Sequence, residues 1–336
     1  MLVRHLRQRE QTRAGSSGQN DALQRHAASS NLVSHTVSFA LSHIPAAFER
    51  TSPAVVTVHY GDPGPTRRCV AALAGHESFP HRVIVVDHGP WPGLQADLDG
   101  LHPNLTVLSA HENPGFGAGC NLGAAAAFAE GTAGVWFLNN DAVVETPMLE
   151  ELTRLSREYP GVALWAHTQQ EGARRLGADR QPAWYAVSQP DFPPAPGGCR
   201  YLGPRESLSG ASLYITRAQW ERIGPWPADF FLYCEDAAYC HRAHRMGLPL
   251  ALLERAILHE RGTTTGRRSP LTVFYGVRNR LLLHRDIHPR RGTARFFMGL
   301  NLLQKRVFQF RWGLLKPTWD GLRAAARNRR GRDPRY

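Results

Sequence analysis

Nowhere among the 336 residues do ~18 consecutive apolar positions occur, the length a bilayer-crossing helix needs. The opening MLVRHLRQREQTRAG also lacks the apolar centre of a secretory signal. Both absences point to a cytoplasmic chain. Cysteine is scarce and scattered, at Cys69, Cys120, Cys199, Cys234 and Cys240, with no CxxC pair. That argues against a disulfide framework or a zinc ribbon and fits a reducing compartment. Lysine is nearly absent, only Lys305 and Lys316; genomic base composition explains this as readily as selection for arginine's forked geometry. No internal repeat is present. Acidic residues run short in one place: 285–336 hold 14 basic and 3 acidic side chains, so +11 of the net +12 lies there and the rest is nearly neutral. Only that end asks for an acidic partner. What the chain does have is material for a core, 42% hydrophobic against 20% charged residues. Wholesale disorder is excluded, and the length suits about two structural units of ~150 residues each.

Residues 1–51, rich in Ser, Gln, Asn, Arg and His, read as a mobile leader. From Ala54 strands and helices alternate: VVTVHY (55–60), a helix over about 66–74, RVIVVD (82–87), a short helix, LTVLS (105–109), a glycine loop, an Ala-rich helix over 121–130, and GVWFLNND (134–141). Continuous apolar strands separated by helices predict an α/β fold with a mostly parallel sheet covered on both faces. Such sheets bind ligands at the carboxyl ends of their strands. Residues 171–204, rich in Pro and Gly, read as an irregular excursion. SGASLYI (209–215) returns to strand, helices are expected over 217–223 and 235–246, LPLALLERAILH (248–259) reads as strand, and the chain from Pro270 is mostly helical. If 293–316 form one helix, then Phe296, Leu300, Leu303, Val307, Phe310 and Leu314 make an apolar stripe, with Lys305, Arg306, Arg311 and Lys316 off it. Such a stripe either docks on an anionic membrane or packs on the body of the protein.

Acids recur where a strand runs out or a helix begins. Asp87 ends RVIVVD; a carboxylate there accepts from a sugar hydroxyl or a base N–H, or else caps the turn. Asn139, Asn140 and Asp141 end the VWFL run. Hard oxygens there suit Mg²⁺ or Mn²⁺ carrying a diphosphate, and equally a polar turn. Glu235 and Asp236 follow DFFLYC at a helix start. Adjacent side chains cannot both point into one site, so Asp236 is the candidate base, with simple helix-terminus charge as the other reading. Gly117, Gly119 and Gly123 give GxGxxxG before a helix, close to a dinucleotide fingerprint. Against it, the glycines begin several residues after the third strand, and nothing downstream suits hydride chemistry.

Taken together, VVTVHY, VVDHG, NPGFGAGCNLG, FLNND, SGASLYI and FFLYCEDAAYCHRAHRMG, in that order over about 54–285, resemble the family 2 glycosyltransferases of GT-A fold, especially bacterial rhamnosyltransferase-like members. The resemblance implies a GT-A catalytic domain over 52–288, with a donor half over about 52–145 and an acceptor half over about 146–288, followed by a basic amphipathic helical tail over 289–336. It implies that Asp87 contacts the nucleotide base and that Asn113, Gly115, Gly117 and Asn121 line the donor pocket, with Asn139 and Asn140 beside them. Asp141 would hold Mg²⁺ or Mn²⁺, His259 would sit near that metal, and Asp236 would activate the acceptor with Glu235 next to it. Arg278 and Asn279, in FYGVRNRLLLHR, match a helix common in this group, and Arg278 is expected on the donor. The chain departs from the pattern where NND replaces an acid pair, which leaves one carboxylate for the metal, and where HYGDP and VVDHGP replace the usual strand ends.

The resulting expectation is an inverting, metal-dependent glycosyltransferase. It would move a sugar, from dTDP-rhamnose or a UDP-hexose, to a glycan or lipid-linked acceptor, in the cytoplasm or peripherally on the inner face of the membrane. A sugar nucleotidyltransferase is the alternative, although GDPGPTRR is a poor phosphate loop. A nucleic-acid-binding protein would explain the basic tail, but strand-end acids repel phosphates unless metal is bound, so no nucleic-acid partner is expected.

Overall fold

Val55, Val56, Val83, Val85, Val86 and Phe137 are β-branched or aromatic residues in runs without polar alternation. Such runs form strands where both faces of a sheet are covered. The computed structural model describes residues 52–110, 112–260 and 269–336, and the expected leader lies outside them. Strands β1 (Ala54–His59), β2 (Arg82–Asp87), β3 (Leu105–Ser109) and β4 (Gly134–Leu138) are parallel neighbours. Beyond them come β5 (Ala142–Val143), β6 (Leu164–Glu171), β7 (Arg174–Leu176), β8 (Asp179–Arg180), β9 (Cys199–Tyr201), β10 (Glu206–Ser207), β11 (Ser212–Thr216) and β12 (Leu250–His259). The main sheet runs β3-β2-β1-β4-β11-β6-β12-β5. β11 is antiparallel to both neighbours, while β6 and β12 are parallel. The expected donor and acceptor halves therefore share one mostly parallel sheet.

The helices are α1 (Pro63–His76), α2 (Leu94–Leu98), α3 (Phe116–Ala129), α4 (Leu149–Glu158), α5 (Arg217–Ile223), α6 (Glu235–Arg245), α7 (Pro270–Ile287), α8 (Gly292–Phe308) and α9 (Leu315–Ala326). Successive strand residues point to opposite faces. On one face Val56, Ile84, Val86 and Phe137 meet Ala124 and Ala127 of α3 and Tyr239 of α6; on the other, Val55, Val85 and Trp136 meet Leu73 of α1 and Leu152 of α4. Each such side chain, fully buried, contributes ~1.5–3 kcal/mol.

Two sequence expectations change here. The glycine-rich stretch is largely helix, because α3 starts at Phe116 rather than near residue 121. Its glycines let the helix lie directly on the sheet: a Cβ on Gly123 would sit 2.3 Å from Val56 Cγ1, and one on Gly119 would sit 2.6 Å from His88 Nε2. Tertiary contact outweighs the weak helix propensity of glycine. The tail, expected as one helix, is two. After α8 the chain turns through Phe310, at φ 52°, and a 3₁₀ turn at Trp312–Leu314 before α9.

α9 packs on α7 at Gly321, where a Cβ would meet the Phe274 carbonyl at 2.9 Å. The last residues then return to the body of the protein. Arg330 pairs with Asp229 (2.7 Å) and with Asp286. Gly331 N–H donates to the Asp229 carbonyl (2.7 Å), and Asp333 N–H to Tyr275 Oη (2.9 Å).

Candidate active site

Strand ends converge as parallel topology dictates. His59, ending β1, lies opposite Asp87, ending β2, which in turn lies opposite Ser109 of β3. Asp87 Oδ1 accepts from Gly89 N–H (2.7 Å), so the carboxylate is fixed by its own turn. The imidazoles beside it are dry. Burial lowers the pKa of His59 and takes that of His88 down to about 4, against the pull of Asp87. Both rings are neutral at pH 7, and each has its Nε2 buried without a hydrogen-bond partner. Asn113 Oδ1 accepts from Gly115 N–H (2.9 Å) just before α3.

At the end of β4, Asn140 Nδ2 donates to Thr66 Oγ1 (2.9 Å), whose other contact is His59 Nδ1 (2.8 Å). Asp141 Oδ1 lies 3.1 Å from Nε2 of His259, at the end of β12. The other ring nitrogen, Nδ1, lies 3.3 Å from Glu171 Oε1, at the end of β6. Burial disfavours the charged ring, yet hydrogen bonds and charge from Asp141 and Glu171 prevail and raise its pKa. Asn139 Nδ2 stands 3.4 Å from the same Nε2. Glu171 is a residue that sequence reasoning missed. Its signal was the one Asp87 and Asp141 gave, an acid ending a strand, but the polar run HTQQE hides the strand.

Asp236 opens α6, with Oδ1 accepting from Ala237 N–H (2.7 Å) and Oδ2 from Gly210 N–H (3.2 Å). The Ala211 carbonyl accepts from Asn139 N–H (2.9 Å). Two adjacent residues before β11 thus tie the start of α6, where Asp236 lies, to the Asn139-Asn140-Asp141 turn at the end of β4. Glu235 is directed inward; it is 6% exposed, with Oε2 lacking a hydrogen-bond partner. Burial raises the pKa of both acids. Mutual charge adds to the effect at Glu235, and Asp179 of β8 adds to it at Asp236. Two adjacent carboxyls in dry surroundings do not both ionise readily.

The segment that delivers this pair is bent. Phe231, Tyr233 and Cys234 have φ of 68°, 68° and 72°, and none is glycine. The Nδ2 of Asn279, on α7, lies 2.8, 2.7 and 2.9 Å from the carbonyls of Phe230, Leu232 and Tyr233. Arg278 donates to the Phe230 carbonyl (2.8 Å), to Asn279 Oδ1 (2.8 Å) and to the Gly331 carbonyl (2.7 Å).

Four expected donor-pocket residues are turned into the protein instead. Arg278 is 1% exposed and spends its fork on main-chain carbonyls and Asn279, so it holds a loop rather than a phosphate. Asn121 makes two hydrogen bonds to the backbone of Trp226, at 3.0 and 2.8 Å. Gly115, at φ 96°, faces the Phe231 carbonyl, which a Cβ would approach to 2.4 Å, and Gly117 faces that of Pro227 at 3.1 Å. These positions need closeness, not ligand contact. Asp87, Asn113, Asn139, Asn140, Asp141, His259 and Asp236 remain around the strand ends.

Among the described residues, no three or more of Asp, Glu, His and Cys converge as a metal-binding set. Asp141 Oδ1 and His259 Nε2 are two donors side by side, and Glu171 stands behind the ring as the partners that orient metal-ligating histidines do. This pair fits a divalent ion that takes its other ligands from a diphosphate; it is no closed protein cage.

Residues 54–191 match the family described as Glycosyl transferase family 2. The mostly parallel sheet, with acids at its strand ends, accords with that match over those residues. Over those residues the chain is similar to the family 2 glycosyltransferases, and a rhamnosyltransferase is among its relatives. The N-acetylglucosaminyl-diphospho-decaprenol L-rhamnosyltransferase of Mycobacterium tuberculosis is 25% identical over 242 residues, 63% of this chain and 77% of the relative. The low-salt glycan biosynthesis hexosyltransferase Agl10 of Haloferax volcanii is 21% identical over 291 residues, 84% of this chain and 93% of the relative. The solved mannosyltransferase PcManGT from Pyrobaculum calidifontis, in complex with GDP-Man and Mn²⁺, is 16% identical with a TM-score of 0.49, covering 83% of this chain and 76% of that one. That likeness is too distant to argue from.

The burial of Glu235, with one carboxyl oxygen lacking a hydrogen bond, has a measurable consequence. Its carboxyl titrates near 4.5 when exposed and near about 8 in the fold, so the folded state holds the extra proton between those values and stability falls as pH rises through them. Glu235→Gln removes that penalty. The melting temperature of the variant, relative to the parent, should climb from pH 5 to pH 9; a difference independent of pH would show that Glu235 ionises freely in the fold.

Proposed function

We propose that this chain transfers a sugar, with inversion, from a nucleotide-diphosphate donor to a hydroxyl of a glycan or lipid-linked acceptor. The observation that supports the reading is the Gly210–Ala211 link, in which Gly210 N–H meets Asp236 and the Ala211 carbonyl meets Asn139, next to Asn140 and Asp141. The acceptor hydroxyl loses its proton to the Asp236 carboxylate. Its oxygen bonds to the anomeric carbon while the bond from that carbon to the diphosphate breaks and its electron pair leaves with the phosphate. A pKa raised by burial makes Asp236 a stronger base than an exposed aspartate, and Glu235, the more deeply buried acid, keeps its proton nearby. Asp141 and His259 would hold Mg²⁺ or Mn²⁺, which when bound offsets the charge growing on the leaving diphosphate. Asp87 would meet the nucleotide base, with Asn113, Asn139 and Asn140 alongside.

The donor is best matched by dTDP-rhamnose, with a UDP-hexose as the second choice. The mycobacterial relative's name specifies L-rhamnosyl transfer to a diphospho-decaprenol sugar, which supports rhamnose and a lipid-linked acceptor. An enzyme with such an acceptor would work peripherally on the cytoplasmic face of a membrane; among the described residues no helix is long and apolar enough to cross one.

Two variants separate the roles. Asp141→Ala should weaken binding of the nucleotide sugar in Mn²⁺ and leave the remainder indifferent to chelator in a calorimetric titration; an unchanged, chelator-sensitive curve would remove Asp141 from the metal site. Asp236→Asn keeps the shape and removes the basicity, so turnover should drop by ~10² or more at nearly constant donor affinity. Turnover close to that of the parent would move the proton acceptor elsewhere, with Glu235 the first suspect.

A further inference from the structure

We propose that the outer face of α8 and the elbow after it form a docking surface for an anionic lipid bilayer, which deepens the reading of a lipid-linked acceptor and relies on it only for purpose. α8 has two apolar faces. The inner one is satisfied: Met298, Leu302 and Leu314 pack with Leu322 against α7, and Gly299 gives room to Leu322, whose Cδ2 would be 3.0 Å from an added Cβ. The outer one is bare. Phe296, Phe297 and Phe308 are 69%, 65% and 77% exposed, and Phe310 and Trp312 at the elbow are 79% and 59% exposed. At 100° per residue, Phe297 and Phe308 fall on one line with Phe296, Leu300 and Val307 beside it. The stripe expected from sequence splits along its length, since Leu303 and Leu314 are only partly exposed while Phe296, Leu300, Val307 and Phe310 face solvent.

Charge selects the occupant. Residues 287–319 contain seven Arg or Lys and not one carboxylate, and Lys305, Arg290 and Arg291 are exposed around the aromatic patch. A second copy of this chain, meeting the face across a two-fold axis, would set the basic patch against itself. An anionic bilayer answers both features, with Phe and Trp seated at the level of the headgroups and the cations on the surrounding phosphates.

The test is flotation of the full chain with vesicles of phosphatidylglycerol and phosphatidylcholine, or of phosphatidylcholine alone, at low and high salt. The parent should float with the anionic vesicles at low salt. Phe308→Ser combined with Phe310→Ser and Trp312→Ser, and separately Lys305→Glu with Arg311→Glu, should each reduce the floated fraction by about tenfold or more, with unchanged circular dichroism. Failure of the parent to float would overturn the proposal, as would equal flotation of the aromatic variant. So would a lipid-free dimer that the aromatic variant turns into monomer, because a second copy would then cover the face. Nucleotide-sugar binding measured on the same samples keeps the outcomes apart: flotation without any nucleotide binding removes the catalytic reading and leaves the docking surface in place.

Discussion

The placing of Asp236 at the start of α6 depends on a bend that the backbone resists. Phe231 sits at φ 68° and ψ −59°, the centre of a γ-turn closed by Leu232 N–H on the Phe230 carbonyl (2.9 Å), and Tyr233 and Cys234 follow in left-handed space. Non-glycine residues held there cost on the order of 1–3 kcal/mol each. The cost is offset because Asn279 and Arg278 satisfy the carbonyls that the bend turns inward, groups that would otherwise cost ~1–3 kcal/mol apiece if buried unpaired. The same bend sets the Phe231 carbonyl on the first N–H of α3, Phe116 (2.9 Å), which is why Gly115 carries no side chain. A clamp on α7 thus fixes where α6 begins, and through Gly210 and Ala211 where it begins relative to β4.

The tail takes part in the same arrangement. Arg278 reaches Gly331, Arg330 bridges Asp229 and Asp286, and Asp333 meets Tyr275. Part of the positive charge that composition reserves for an outside partner is therefore used internally, with Arg335 on Asp333 as a further case. Arg290, Arg291 and Lys305, between α7 and α9, are exposed. The chain end braces the strained loop while the preceding elbow points outward, so removal of everything after residue 288 would disturb both.

Strand ends were legible because apolar runs in a parallel sheet stop abruptly, and Asp87, Asp141 and His259 mark the stops. The glycines read two ways, because the pattern that permits a phosphate loop also permits a helix pressed onto a sheet, and the atoms of Val56 and His88 show the second at Gly123 and Gly119. Arg278 was expected on the donor only through the resemblance, and in the structure its fork lies buried on main-chain carbonyls. The clamp itself was invisible, since nothing local in DFFLYC announces left-handed backbone and Asn279 lies more than forty residues downstream. The tail's helical spacing held only to Phe308: the stripe divides between packed and exposed positions, and the chain already turns at Phe310, before Gly313.

That the clamp positions Asp236 and Glu235, the proposed base and its neighbour, is the central claim, and hydrogen exchange on Asn279→Ala, read beside sugar transfer, tests it most directly. Exchange over 230–236 should quicken and turnover should fall together, while the amides of β1, β2 and β4 keep the protection of the parent. Parental protection in that loop, or full turnover in spite of a loosened loop, would contradict it.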